Sequence, residues 1–389
     1  MFFIRETSMV RLSKRSEIDP FFAMDVLAAA IKRKSAGENV ISMAVGQPSA
    51  PCPKMVIEAA EKAVKDGHIG YTDSLGIMPL RERITQYYDE YHNVAVSPQR
   101  IVVTTGSTAG FNIAFLTLFD RGDRVAITRP GYPAYRSIMR VLGLEVVEID
   151  TDDNGILTSE LLKKAHEKHS LKGVLFASPG NPTGASIQPE ELQKILAFCD
   201  DNQITAISDE IYHRLNFTAP DTSALSFSNN VVVINSFSKY YCMTGWRIGW
   251  MVLPENAIRS VECITQNLYI CAPELSQVAA IAAFDATEEL EKVKQTYRIN
   301  RELLKKKLPA IGLKLLAPMD GAFYAYCGIE RFSNDSMEFA KTMLRETNVA
   351  ATPGIDFDPI EGNRTMRFSY ACSPDEIVEA IDRLEHWLK

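Results

Sequence analysis

No cysteine pair, histidine cluster or long apolar run organises this sequence. The seven cysteines, Cys52, Cys199, Cys242, Cys263, Cys271, Cys327 and Cys372, include no CxxC pair among 389 residues. An odd, scattered set predicts free thiols in a reducing compartment and excludes a disulfide framework. The six histidines form no HExxH motif. His166 and His169 lie three apart in a lysine-rich polar helix, which reads as a solvated face, so no metal site is expected. No uninterrupted stretch approaches the roughly 18 apolar residues of a membrane span. The opening MFFIRETSMVRLSKR lacks the charged start, apolar core and cleavage pattern of a signal peptide, so the cytoplasm is the expected location. Positive charge is not in excess: the formal net charge is −7, which disfavours nucleic acid as the main partner. Lys292, Lys294, Lys305, Lys306 and Lys307 accordingly read as one solvated helix face. There is no internal repeat and no low-complexity tract.

What is present is an ordinary globular composition, 46% hydrophobic and 23% charged, in a chain long enough for two or three domains. A first helix is expected over 20–35, with Asp19 as its cap and Pro20 in its first turn. A short strand over 39–45 leads into the extended loop of Pro48, Pro51 and Pro53, and helices follow over 54–67 and 78–91. From residue 101 the pattern becomes regular. Apolar strands at 101–105, 123–128, 145–149, 173–178, 205–209 and 231–235 alternate with amphipathic helices at 107–119, 133–142 and 189–201. That alternation predicts an α/β fold with a mostly parallel sheet between helices. A charged helix over 288–307, the runs 313–317 and 321–327, a strand near 364–371 and helices over 335–346 and 374–388 predict a smaller α+β domain. The expected division is an arm over 1–18, a small domain from 19–45 and 287–389, and a large domain over 46–286.

Four segments carry chemistry. Lys239, in Asn235-Ser-Phe-Ser-Lys-Tyr-Tyr-Cys-Met-Thr-Gly-Trp-Arg-Ile-Gly249, lies just past a buried strand with the small residues Ser236 and Ser238 beside it. An ammonium pointing inward there would have a lowered pKa and could form a Schiff base, and Arg247 could hold an anion; a surface lysine at a loop edge is the plainer alternative. Asp209 ends an apolar strand, and ligands of open α/β sheets bind beyond strand C-terminal ends; capping a helix that starts near Glu210 would equally explain it. Thr105-Gly-Ser-Thr-Ala-Gly110 is a strand-to-helix turn whose amides, with Ser107 and Thr108, suit a phosphate. Ser178-Pro-Gly-Asn-Pro-Thr-Gly184 places Asn181 in a polar turn after another strand.

All four sit at one end of the predicted sheet, and together they resemble the class I/II pyridoxal-phosphate-dependent aminotransferases of fold type I over nearly the whole chain. The block around Lys239 resembles that family's SxSKxxxxxGxRxG motif, and Asn-Pro-Thr-Gly at 181–184 and Asp-Glu-Ile-Tyr at 209–212 match further hallmarks. The resemblance implies pyridoxal 5'-phosphate (PLP) as cofactor and Lys239 as the Schiff-base and proton-shuttling lysine. It implies Asp209 against the pyridine nitrogen, and Asn181 and Tyr212 on the ring's phenolate oxygen. Ser107, Thr108, Ser236, Ser238 and Arg247 would hold the phosphate, and Tyr132 would stack on the ring. Tyr71 would reach the phosphate of the neighbouring subunit in a homodimer with shared active sites. Arg367, with the backbone of Gly46 nearby, would clamp the substrate α-carboxylate. An aspartate keeps a pyridine nitrogen protonated, a lysine moves a proton, and an arginine fork fits a carboxylate.

Two positions depart from the family pattern: Cys242 where a small Gly, Ala or Ser is usual, and Asp358 where a Gly is usual. Tyr135 reads as helix packing, Phe323, Tyr324 and Tyr326 as sheet core and cleft wall, and Ile18, Phe21 and Phe22 as entrance or domain packing. The implied activity is transfer of an amino group from an L-amino acid to a 2-oxo acid such as 2-oxoglutarate or pyruvate. L-aspartate is the first expectation for the donor, because the whole resembles bacterial aspartate- and aromatic-type enzymes. Aromatic, alanine and branched-chain donors, and a C–S β-lyase on the same scaffold, stay open. A regulator that senses PLP without catalysis would need a DNA-binding domain ahead of the first core helix, which about 18 residues cannot form.

Overall fold

The computed structural model describes residues 10–389. Twelve strands run in chain order as β1 (Ile41–Met43), β2 (Ile101–Thr104), β3 (Arg124–Arg129), β4 (Glu145–Asp150), β5 (Gly173–Ala177), β6 (Thr205–Asp209), β7 (Val232–Ser236), β8 (Gly249–Val252), β9 (Lys314–Leu315), β10 (Tyr324–Gly328), β11 (Val349–Pro353) and β12 (Thr365–Ser369). They form a seven-stranded sheet of order β2-β8-β7-β6-β5-β3-β4 and a five-stranded sheet of order β1-β11-β12-β10-β9.

The larger sheet is parallel except for β8, which runs antiparallel to both β2 and β7. β7 and β8 inside the sheet and β2 at its edge are buried along their whole length, as their apolar runs require. β8 does not stand out in the sequence, because Gly-Trp-Met-Val directly follows the polar lysine block and has no alternation. Its reversal matters: it starts at the edge where the parallel strands end. In the smaller sheet β1 pairs parallel with β11, and the remaining pairings are antiparallel. β11, also unforeseen, is a short run of Val, Ala and Thr between a helix and a turn.

Helices fall close to expectation, with Pro133–Leu142 and Pro189–Asp201 coinciding with it. The first helix differs at its start. It begins at Phe22, and Asp19 does not cap it; Asp19 pairs on the surface with Arg140. The cap comes instead from Asp356, whose two carboxylate oxygens accept from the amides of Phe22 (3.1 Å) and Ala23 (2.9 Å). A cap from 333 residues away has no local sequence signal. No helix starts at Glu210 either, so Asp209 does not serve as a helix cap; the segment after β6 is a turn.

Aromatic packing joins the larger sheet to its helices. Trp250 on β8 is fully buried, packs against Phe237 at 4.9 Å and Tyr87 at 5.8 Å, and donates its indole N–H to Tyr88 Oη at 3.0 Å. The long helix Thr287–Ala310 is tied down by Asn300, whose amide donates to the carbonyls of Tyr370 (3.0 Å) and Cys372 (2.8 Å). Replacing Trp250 by Ala leaves a cavity and strands the Tyr88 hydroxyl. A loss of about 3–5 kcal/mol is expected, read as a fall in the denaturant midpoint of unfolding.

Candidate active site

The site is assembled where β3, β5, β6 and β7 end, beside the turn after β2 and the turn before β8. Because β8 runs backwards, Arg247 enters at the same edge as the residues that leave the parallel strands. A cavity of about 180 Å³ opens there. It is lined by Gly46, Ser107, Thr108, Tyr132, Asn181, Asp209, Tyr212, Ser238, Lys239, Arg247 and Arg367 among the residues singled out from sequence.

Lys239 follows β7 directly, and its Nζ donates to the carbonyl of Gly46. Burial pulls its pKa down to about 8, helped by the positive charges of Arg367 and Arg247 and opposed by Asp209. Its Nζ lies 5.9 Å from the centre of the Tyr212 ring. Asp209, the last residue of β6, is buried; its Oδ1 accepts from the Ile211 amide at 3.0 Å and its Oδ2 from the Tyr135 hydroxyl. Burial pushes its carboxyl up to about 6, while the two hydrogen bonds and Lys239 pull the other way, so it is ionised at neutral pH. Lys239 and Asp209 therefore face one cavity and each feels the other's charge.

Arg367 sits in the middle of β12, opposite Thr352 and Tyr326, and is only 3% exposed. Its guanidinium lies between the rings of Tyr324 (4.3 Å) and Phe357 (4.6 Å). It donates to Asn181 Oδ1 at 2.9 Å, to Thr352 Oγ1 at 3.2 Å and to the Ala44 carbonyl. Those partners are neutral oxygens, and its Nε has no partner among the described residues. A buried cation held this way gains from an incoming carboxylate. Tyr212 and Tyr324 share a hydrogen bond of 2.7 Å between hydroxyls, and burial raises both pKa values, so both stay protonated donors at neutral pH. Gly46 passes directly under Tyr324: a Cβ there would fall 1.8 Å from the phenolic oxygen.

The opposite end suits an anion. Gly106 opens the helix Gly106–Leu118 at φ +75°, and a Cβ on it would stand 2.5 Å from Arg247 Nη2. The missing side chain is the space in which the guanidinium approaches the helix N-terminus. Ser107 and Thr108 occupy that first turn and Ser238 faces it from across the cavity. Ser236 is one layer back: its hydroxyl bonds to Ser238 Oγ at 2.9 Å and to the Ile248 carbonyl at 3.1 Å, and it steadies Ser238 without lining the cavity.

Other residues fall elsewhere. Tyr71 is 83% exposed and does not line this chain's cavity. Of the entrance residues, Phe21 lines the cavity, and Ile18 and Phe22 do not. Tyr135 is more than helix packing, since its only hydroxyl partner is Asp209; the Gly-Tyr-Pro-Ala-Tyr spacing, which places it at the first turn of a helix facing the strand ends, could have indicated it. Tyr324 likewise belongs to the site, through Tyr212 and Arg367. Cys242 is buried at φ +55°, the left-handed region that favours glycine. Burial pushes its thiol up to about 12, so it is unreactive at neutral pH. Asp358 accepts from the amides of Ile360 (2.8 Å) and Glu361 (3.0 Å), closing its own turn at a backbone angle that needs no glycine.

The donor set fits a flat pyridine phosphate. It has a cradle for a dianion at the helix turn and Arg247, a carboxylate at the end of β6, two neutral donors in Asn181 and Tyr212, and an amine of lowered pKa between them. Gly106→Ala is expected to displace Arg247 and to weaken PLP binding by about 10-fold or more, the worth of one charge-assisted contact; equilibrium titration of the apoprotein with PLP measures it.

Comparison with known proteins agrees with this arrangement. Residues 38–384 match the family model of aminotransferase class I and II. A valine–pyruvate aminotransferase of Mycobacterium tuberculosis is 45% identical, over 97% of this chain and 98% of its own length. The crystal structure of an aminotransferase from that organism superposes with a TM-score of 0.94 at 45% identity, covering 97% of this chain and 99% of the other. Aspartate aminotransferase from Thermus thermophilus with maleate gives 0.91 at 29% identity, over 97% and 100%. The strand order, the cavity at the strand ends and these matches have one meaning: the chain belongs to the class I and II aminotransferases, PLP-dependent enzymes of fold type I.

Proposed function

We propose that this aminotransferase takes an L-amino acid with an apolar, branched aliphatic side chain as donor and a small 2-oxo acid such as pyruvate as acceptor, in place of the L-aspartate expected from sequence. One observation carries the reading. The only Lys and Arg side chains among the described residues lining the cavity are Lys239, Arg247 and Arg367. Each already has a task, so this chain's own cavity lining leaves no cation for a second substrate carboxylate. The remaining wall, with Phe21, Ala23, Met24, Val45 and Tyr132, is largely apolar. The similarity to a valine–pyruvate aminotransferase supports the same direction.

Bound in this cavity, PLP supplies the electron sink that lets the substrate's Cα proton leave. The chain does the rest. Arg247, Ser107, Thr108 and Ser238 would hold the phosphate. Asp209 would present the negative charge that keeps a pyridine nitrogen protonated, and Tyr135 fixes that carboxylate. Asn181 and Tyr212 would donate to a phenolate oxygen, and Tyr132 would lie against the ring. Arg367 grips the α-carboxylate with its fork, and the Gly46 carbonyl holds Lys239 in place. Lys239 Nζ, its pKa lowered to about 8, would take the proton from the substrate's Cα and pass it to the cofactor's C4′.

The division into a small domain (19–45 and 287–389) and a large one (46–286) belongs to this reading, as does a homodimer. Tyr71 stands beside Ile270, because the amide of Thr72 bonds Cys271 Sγ at 3.5 Å and that of Gly70 bonds Glu274. Both side chains are half exposed or more. A second copy covering them would bring Tyr71 to its neighbour's phosphate. Among the described residues no helix is long and apolar enough to cross a membrane.

Steady-state rates with pyruvate as acceptor and a panel of donors test the substrate assignment: valine and its branched relatives should exceed aspartate in kcat/KM, and the reverse order refutes it. Lys239→Ala should keep the fold and lose transamination by at least about 10²-fold. Only the neutral amine attacks an aldehyde, so PLP capture by the apoprotein should speed up as pH rises towards about 8 and level off above it; stopped-flow absorbance reads the profile.

A further inference from the structure

The first helix, Phe22–Ser35, carries part of the cavity wall on its opening turn: Phe21, Ala23 and Met24 all face the cavity. This turn has little holding it locally. Its N-cap residue, Phe21, provides no side-chain hydrogen bond. Among the described residues the one ion pair of the preceding segment is Asp19 with Arg140 at 3.1 Å, a type of contact worth little in water. Met24 is 50% exposed, and Phe21 makes an edge contact with Tyr132, at 5.8 Å between ring centres.

The firm attachment is Asp356. It is buried at 3% exposure, lies in the turn just after β11, and spends both carboxylate oxygens on the Phe22 and Ala23 amides. The next residue, Phe357, lies against the Arg367 guanidinium at 4.6 Å, and its carbonyl accepts from the Gly131 amide at 3.1 Å, beside Tyr132. The same turn thus supports the carboxylate clamp and the wall that meets the substrate side chain. We propose that Asp356 is a specificity-determining positioning residue: by capping the first helix from the far end of the chain, it fixes the Phe21–Met24 wall at the distance where a branched aliphatic side chain packs. Asp356 touches neither substrate nor cofactor. The inference rests on the apolar-donor reading above.

In the holoenzyme, Asp356→Ala and the milder Asp356→Asn remove the double cap without altering the identity of any cavity-lining side chain. The expected result is a KM for valine raised by about 10-fold, the scale of a lost methyl-sized contact, with kcat and the KM for alanine changed less than about 2-fold, because a methyl group does not reach the wall. Met24→Ala should likewise raise the KM for valine, and Asp356→Ala with Met24→Ala should raise it no further than either alone. Amide hydrogen exchange should lose protection over 22–26 and keep it over 365–369. Equal losses for valine and alanine, independent effects of the two changes, or unaltered exchange over 22–26 would each overturn the proposal. If wild-type enzyme itself prefers aspartate, the substrate reading fails, and the exchange measurement still decides whether Asp356 holds the wall.

Discussion

Three cations, Lys239, Arg247 and Arg367, open into one cavity, and their mutual repulsion is the constraint around which the site is built. Among the described residues the one carboxylate lining it is Asp209. The chain neutralises the excess with backbone. The carbonyl of Ala44 accepts from Arg367 and the carbonyl of Gly46 from Lys239, so one short extended segment satisfies two buried cations. What remains unsatisfied is an affinity for anions, at the turn before Gly106 and at Arg367. A phosphate and an α-carboxylate are the groups an aminotransferase must bring together.

That segment also joins the two sheets. It continues from β1, an edge strand of the five-stranded sheet, and ends under the hydroxyl of Tyr324 from β10. Arg367 on β12 reaches across to Asn181, which follows β5 of the other sheet. Two hydrogen-bonded crossings, from Lys239 to Gly46 and from Arg367 to Asn181, therefore set the spacing between the phosphate end and the carboxylate end. Neither crossing is hydrophobic, and both run through groups that touch ligand.

Much of this was legible in the sequence because it is local. A buried parallel strand announces itself as an apolar run, and Asp209, Lys239 and the turns at 105–110 and 178–184 sit where such runs stop. The resemblance to a known family turned those ends into roles. What escaped was long-range. Tyr135 looks like any helix residue until the turn of the chain aims it at Asp209, and Tyr324 looks like sheet core until Tyr212 meets it. The reversal of β8 is silent because a fully buried strand reads the same in either direction. Asp356 is the extreme case: its partners are amides at the other end of the chain, and no spacing rule links residues 22 and 356.

The residues that perform the chemistry leave strands buried on both faces, where any change of shape propagates through the sheet. Phe21 and Met24 belong to a partly exposed helix turn on the rim. A lineage could exchange one amino donor for another by altering that rim alone, leaving the proton-transfer machinery untouched. On the proposed reading, reactivity and selectivity lie in physically separate places, so diversification of substrate range need not trade against catalysis.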